Sequence, residues 1–131
     1  MIKNVALIGL IVDDLEKAKH FYTGLGFSVD LELDLPQIKI RNAFVSLAGT
    51  KLELIEAYAG TTLPYHQGGV INHLTFEVDD IVASIEDLRQ MGVGFITDLQ
   101  SVAAEPAGLV KFIHGKGPNG EIIELWELPS R

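Results

Sequence analysis

The sequence predicts an α+β domain built from two copies of one β-α-β-β-β module. Three observations predict it: an internal repeat, a helix-forming stretch after the first strand of each copy, and a turn before the last strand of each copy. We expect the tandem modules to form curved, mostly antiparallel sheets around a cavity. Residues 1–131 are read as one domain, with the first repeat at about residues 1–58 and the second at about residues 69–131.

The repeat is visible when the chain is aligned with itself. Val-Asp-Asp at residues 12–14 recurs 66 positions later, at residues 78–80. Leu-Glu-Leu-Ile-Glu at residues 52–56 corresponds to Ile-Glu-Leu-Trp-Glu at residues 123–127, now 71 positions later. The change in offset indicates that the second copy contains five additional residues, most simply in the loop at residues 98–108.

Each copy begins with a strand and a helix. Residues 5–12 and 71–78 are apolar stretches of the usual strand length, and each runs into an Asp-Asp pair that favours a helix N-cap. Apolar residues then recur at helical spacing, over residues 15–25 and 81–91. Three further strands are predicted in each copy, at residues 27–35, 40–47 and 51–56 in the first and at residues 93–97, 109–114 and 121–127 in the second.

Strand alternation separates the side chains that cover each helix from those that face the predicted cavity. Leu7 faces the cavity in the first copy, and His73 does so in the second. Glu53 and Glu124 lie between apolar neighbours on the last strands, so they project to the same side. One imidazole and two carboxylates are typical ligands of a divalent cation. We therefore predict a metal site formed by Glu53, His73 and Glu124.

Composition limits the partners of the protein. Ten basic and eighteen acidic residues give a net charge of −8, which repels nucleic acid and anionic lipid. The chain has no cysteine, so disulfides and thiolate metal ligands are excluded. The apolar run near the start is too short for a membrane span and has no signal-peptide features. We expect a cytoplasmic protein with a small-molecule substrate, and no nucleic acid or membrane partner.

Several motifs together point to one superfamily. They are Ile-Gly-Leu-Ile-Val-Asp-Asp-Leu at residues 8–15, Phe-Tyr at 21–22, Leu-Gly-Phe at 25–27, Leu-Glu-Leu at 52–54, Asn-His-Leu at 72–74 and Gly-Pro-Asn-Gly-Glu-Ile-Ile-Glu-Leu at 117–125. With them the chain resembles, over nearly its whole length, the vicinal oxygen chelate superfamily. That superfamily includes glyoxalase I, methylmalonyl-CoA epimerase, fosfomycin-resistance enzymes, extradiol dioxygenases and bleomycin-binding proteins.

The resemblance implies metal ligands at residues 7, 53, 73 and 124. Glu53, His73 and Glu124 match, whereas Leu7 stands where a histidine or glutamine is expected and cannot bind a metal. The implied cofactor is a divalent ion: zinc, nickel, manganese or iron. The implied chemistry is proton transfer next to a carbonyl, with Glu124 as the catalytic base.

Two functions follow from this resemblance. The first is a metal-dependent lyase or isomerase that acts on a small thioester or hemithioacetal. The alternative is a non-catalytic binding protein of the bleomycin-resistance kind with a degenerate metal site. A dioxygenase is disfavoured because the second histidine of its ligand set is missing. The resemblance also favours a homodimer. The residues expected to contact the small molecule are Leu7, Ile11, Thr75 and, at the rim of the cavity, His114.

Overall fold

The computed structural model describes residues 1–130 and contains two α-helices and nine strands. In chain order these are β1 (Ile2–Ile11), α1 (Leu15–Gly24), β2 (Ser28–Leu35), β3 (Ile40–Leu47), β4 (Thr50–Ala57), β5 (Ile71–Val78), α2 (Ile81–Gln90), β6 (Gly94–Phe95), β7 (Gln100–Ala103), β8 (Leu109–Lys116) and β9 (Ile122–Glu127). The predicted α+β fold with tandem modules is confirmed. Neither of these helices has the length and apolar character that a bilayer crossing requires.

The chain forms two compact units. The first unit consists of residues 7–72, and the second unit combines residues 1–6 with residues 73 onward. The boundary falls within β1, whose opening residues contact the second unit: Lys3 Nζ and Asn4 Nδ2 lie 3.4 and 3.3 Å from the Glu77 carboxylate. The N-terminal ammonium lies 3.0 Å from the Asp79 carboxylate. The sequence repeat and the structural units therefore do not coincide at the start of the chain.

In the first unit the strand order is β2-β3-β4-β1. Only the pairing of β1 with β4 is parallel. The core between sheet and helix α1 has the alternation expected of amphipathic strands, because every second residue of β3 and β4 points into it. Its buried members are Leu10, Leu15, Ala43, Val45, Leu52 and Leu54.

In the second unit β9 lies between β5, which is parallel to it, and β8, which is antiparallel to it. Two short strands, β6 and β7, share the other edge of β8. The strand predicted at residues 93–97 is therefore wrong in length, and the loop predicted at residues 98–108 contains β7. Between β6 and β7 the ladder is interrupted, and the backbone N–H of His114 donates instead to Thr97 Oγ1 at 2.9 Å.

Both helices begin as predicted. Asp14 and Asp80 accept hydrogen bonds from the backbone N–H groups of Lys17 and Ala83, each at 3.1 Å. A second carboxylate reaches each helix start from the last strand of its own module: Glu56 accepts from Leu15, and Glu127 accepts from Ile81. These glutamates therefore satisfy helix N-termini. The other glutamate of each last strand, Glu53 in β4 and Glu124 in β9, lies on the opposite face of its strand, away from the helix.

Candidate active site

Strand register brings three polar residues into one row across the second unit. The backbone of Glu124 on β9 pairs with Thr75 on β5 and with His114 on β8. Side chains of such partners stand on the same face of a sheet. The neighbour of Glu124, Leu125, points the other way and is fully buried in the core against helix α2. Thr75, Glu124 and His114 therefore lie on the sheet face opposite the helix.

The Glu124 carboxylate is in contact with three side chains. Thr75 Oγ1 donates to Oε1 at 2.8 Å. His114 Nε2 lies 3.1 Å from Oε2, and His73 Nε2 lies 3.6 Å from Oε1. The two imidazole rings are nearly perpendicular, at 86° with centroids 5.6 Å apart. Both carboxylate oxygens therefore face ring nitrogens, an arrangement that fits an ionised carboxylate.

The cluster is buried. His114 is 1% exposed, His73 4% and Glu124 8%. Burial by itself would raise the pKa of Glu124, but the charge and hydrogen bond of His114, and then those of His73, outweigh it. The pKa of the Glu124 carboxyl therefore lies well below its usual range, and the group is ionised at neutral pH.

The same three residues can hold a metal ion. One donor atom from each of His73, His114 and Glu124 lies within 4.8 Å of the other two. Metal–ligand bonds of about 2.0–2.1 Å place neighbouring donor atoms roughly 3.0–3.4 Å apart. The separations of 3.1 and 3.6 Å between the carboxylate and the two ring nitrogens are close to that range.

His114 is more central than the sequence indicated. We expected it at the rim of the cavity, yet it is enclosed within β8 and touches Glu124. The register could have revealed this contact, because a hairpin that turns at residues 117–121 places residues 114 and 124 opposite each other. The sequence analysis disfavours a dioxygenase because the second histidine of its metal-ligand set is missing. The structure places His114 beside His73, so that second histidine is present at the site.

The predicted ligand Glu53 belongs to the first unit. It is 7% exposed, and its Oε2 accepts a hydrogen bond of 2.8 Å from Asn42 Nδ2. Leu7, which is 3% exposed, and the half-buried Ile11 lie on the same unit's β1. The participation of Glu53 in a metal site, and of Leu7, Ile11 and Thr75 in substrate binding, stays a prediction.

The first unit also contains an open pocket of about 680 Å³ lined largely by charged side chains. Its cation, Arg41, forms an ion pair with Glu56, and Tyr58 donates to Asp34. An arginine in a pocket is a potential partner for the phosphates of a substrate, so the surroundings of Arg41 decide what the pocket can bind. Because it is already paired and acidic groups surround it, this pocket is unsuited to phosphate groups.

Comparison with known families agrees with the fold. Residues 8–112 match the Glyoxalase/Bleomycin resistance protein/Dioxygenase superfamily. The chain belongs to this superfamily. It is 31% identical to mouse mitochondrial methylmalonyl-CoA epimerase over 124 residues, which are 90% of this chain and 69% of the mouse protein. It is 29% identical to the ethylmalonyl-CoA/methylmalonyl-CoA epimerase of Cereibacter sphaeroides, over 95% of this chain and 98% of that protein.

Solved structures show the same fold across nearly the whole chain. A hypothetical protein from Bacillus halodurans superposes with a TM-score of 0.78 at 26% identity, over 98% of this chain and 96% of that chain. The superfamily assignment therefore rests on sequence and structure together.

Proposed function

We propose that the protein is an isomerase that moves a proton at the carbon next to the carbonyl of a branched acyl-CoA thioester, in the manner of methylmalonyl-CoA epimerases. The observation that carries this proposal is the buried, ionised Glu124, held by Thr75 and His114 in a chain whose relatives bear that name. Only a base that is already deprotonated can accept a proton from carbon.

Glu124 acts as the base in the proposed reaction. Its carboxylate takes the proton from the α-carbon, the C–H bond breaks, and the electron pair passes to the thioester carbonyl oxygen as an enolate. A proton from solvent then adds to the opposite face of the carbon and inverts the centre, and Glu124 releases the proton that it took to solvent. Thr75 and the two histidines fix the carboxylate, so that little reorganisation accompanies the transfer.

The environment of Glu124 sets a further requirement. Its lowered pKa keeps it ionised at neutral pH but also makes it a weak base. The enolate oxygen must therefore be stabilised strongly if the proton is to leave carbon. A divalent cation, which superfamily members use for such chemistry, would supply this stabilisation as a Lewis acid. We include metal dependence in the proposal for that reason.

Solvent exchange provides the test. Purified protein is incubated with methylmalonyl-CoA or ethylmalonyl-CoA in deuterated buffer, and deuterium at the α-carbon is measured by mass spectrometry. We expect exchange and loss of optical activity with the unmodified protein. Glu124→Gln should lower the rate by at least about 100-fold, as expected for loss of a general base. The control is Glu86→Gln, which changes an exposed glutamate of helix α2.

Exchange at equal rates in Glu124→Gln and Glu86→Gln would contradict the assignment of the base. Tight binding of the CoA esters with no exchange, after loading with zinc, nickel, manganese and iron in turn, would favour the binding-protein alternative. Exchange into the hemithioacetal of methylglyoxal and glutathione, with none into CoA esters, would favour a lyase. A relative of that kind exists, since the chain is 29% identical to a probable lactoylglutathione lyase of Vibrio cholerae.

A further inference from the structure

We infer that Lys116 binds the free carboxylate of the acyl group, and that it thereby selects a malonyl-type thioester over an uncharged branched one. This inference rests on the proposed isomerase function and names the residue that recognises the substrate. It concerns a single sheet face of the second unit, the face on which Glu124 lies.

Strand register places Lys116 on that face. Lys116 ends β8, and its backbone partner is Ile122, whose other partner is His73 on β5. Residues in such a row share one face of the sheet. Lys116 also lies two residues after His114 on the same strand, so both side chains point the same way, with Cα atoms roughly 7 Å apart. Lys116 therefore stands in the row next to that of Glu124.

The packing of the preceding glycine gives the same orientation. A Cβ atom at Gly115 would lie 2.9 Å from Val93 Cγ1 and 3.1 Å from Phe95 Cδ1, and both residues pack against the core beside helix α2. Because successive residues of a strand face opposite ways, Lys116 points away from that core. The close packing at Gly115 also fixes the backbone from which the lysine side chain projects.

The other cations that the structure describes in the second unit are engaged elsewhere. Lys3 and Lys111 form ion pairs with glutamates at 3.4 Å, and Arg89 lies over an aromatic ring. Lys116 is half-buried, and it forms no ion pair with any of residues 1–130. Its ammonium group is therefore available to an anion that enters the site.

The position of Lys116 indicates which anion it meets. In the proposed reaction the α-carbon lies at the Glu124 carboxylate, and the carboxylate of a malonyl-type acyl group is bonded directly to that carbon. The phosphates of CoA lie the whole length of the pantetheine arm away. A second carboxylate beside Glu124 is repelled unless a cation lies close by, and the lysine ammonium on its flexible stem supplies that charge. The contact is local, because the net charge of −8 still repels the ester at a distance.

Substrates with and without the carboxylate test the inference. The unmodified protein and Lys116→Met are compared with methylmalonyl-CoA and with its methyl ester, whose acyl group is uncharged. Exchange of the α-proton gives kcat/KM, and fluorescence of the single tryptophan, Trp126, gives the dissociation constant. With methylmalonyl-CoA, Lys116→Met should weaken binding and lower kcat/KM by about 10- to 100-fold, the range for loss of a hydrogen bond between charged groups. With the methyl ester the change should be less than about 3-fold.

Two further variants control for structure. Lys116→Arg keeps the positive charge and should retain most of the affinity for methylmalonyl-CoA. Lys111→Met removes a lysine from the opposite face of the same strand, where it pairs with Glu127, and it should not discriminate between the two esters. Circular dichroism and thermal unfolding show whether each variant remains folded.

Methylmalonyl-pantetheine distinguishes the two sources of negative charge, because it retains the acyl carboxylate and has none of the phosphates of CoA. The effect of Lys116→Met should persist with this thioester. Disappearance of the effect would overturn the assignment and transfer Lys116 to the phosphates.

The outcomes separate this inference from the proposed function. Equal losses with methylmalonyl-CoA and its methyl ester, or no loss with either, would overturn the role of Lys116 even if the protein exchanges the α-proton. Binding that depends on both Lys116 and the acyl carboxylate, in a protein that exchanges no α-proton, would support the inference and contradict the isomerase. Failure of the unmodified protein to bind either ester would overturn both.

Discussion

Removing the hydroxyl of Thr75 tests whether the hydrogen bond to Glu124 is as important as its geometry indicates. Thr75→Val preserves the shape of a side chain that is 0% exposed and deletes a donor 2.8 Å from a buried carboxylate. Hydrogen bonds to charged groups contribute about 1.5–3 kcal/mol. In Thr75→Val the Oε1 atom of Glu124 loses its donor, and burial keeps water from replacing it. We expect the free energy of unfolding to fall by that amount.

Urea denaturation at neutral pH measures the loss. With a slope of about 2 kcal/mol per molar urea, the midpoint should decrease by roughly 1 M. Thr75→Ser retains the donor and should lose only the methyl contribution, about 1 kcal/mol. Thr50→Val, at an exposed position of β4, controls for the change in strand propensity. A decrease below about 0.5 kcal/mol in Thr75→Val would refute the reasoning, because the hydroxyl would then contribute nothing beyond its volume.

Two further predictions concern charge. The pKa of Glu124 in the folded protein lies below its ordinary value of 4.5, so the stability it contributes is present above that value and lost as the pH falls toward the folded-state pKa. The free energy of unfolding should therefore decrease below about pH 5, and Glu124→Gln should make this decrease shallower; identical slopes would contradict the shift. The second follows from the proposed substrate: with a net charge of −8, the protein repels an anionic CoA ester, so kcat/KM should rise with added NaCl. A fall would indicate a local cationic docking surface instead.

The sequence was sufficient for most of the fold. The offset of 66 residues aligned two strand–helix units, and both helices begin at the aspartates that the Asp-Asp pairs indicated. The pairing of β6 and β7 with β8 could not be predicted in the same way. Two-residue strands such as β6 carry too little periodicity, and residues 98–108 contain the turn-forming Pro and Gly that normally indicate a loop.

The candidate site was recovered in part. His73 and Glu124 follow from alternation within single strands, which is a local property of the sequence. The contact between His114 and Glu124 depends on the register of a hairpin, and the sequence specifies register less directly than it specifies which face a residue occupies. The hydrogen bond between Asn42 and Glu53 is of the same kind, since it joins residues on neighbouring strands that are not direct partners.

The division of β1 between the two units has a consequence for how the protein is made. Residues 1–6 are synthesised before their side-chain partners Glu77 and Asp79, which follow more than half of this chain's length later. The opening strand must therefore stay available, and exposed, until the second module emerges, which is the situation in which non-local pairing slows folding. A fragment that starts at the repeat boundary would lack this strand. A circular permutant that begins near residue 69 and joins residue 131 to residue 1 would instead make the second unit continuous in sequence.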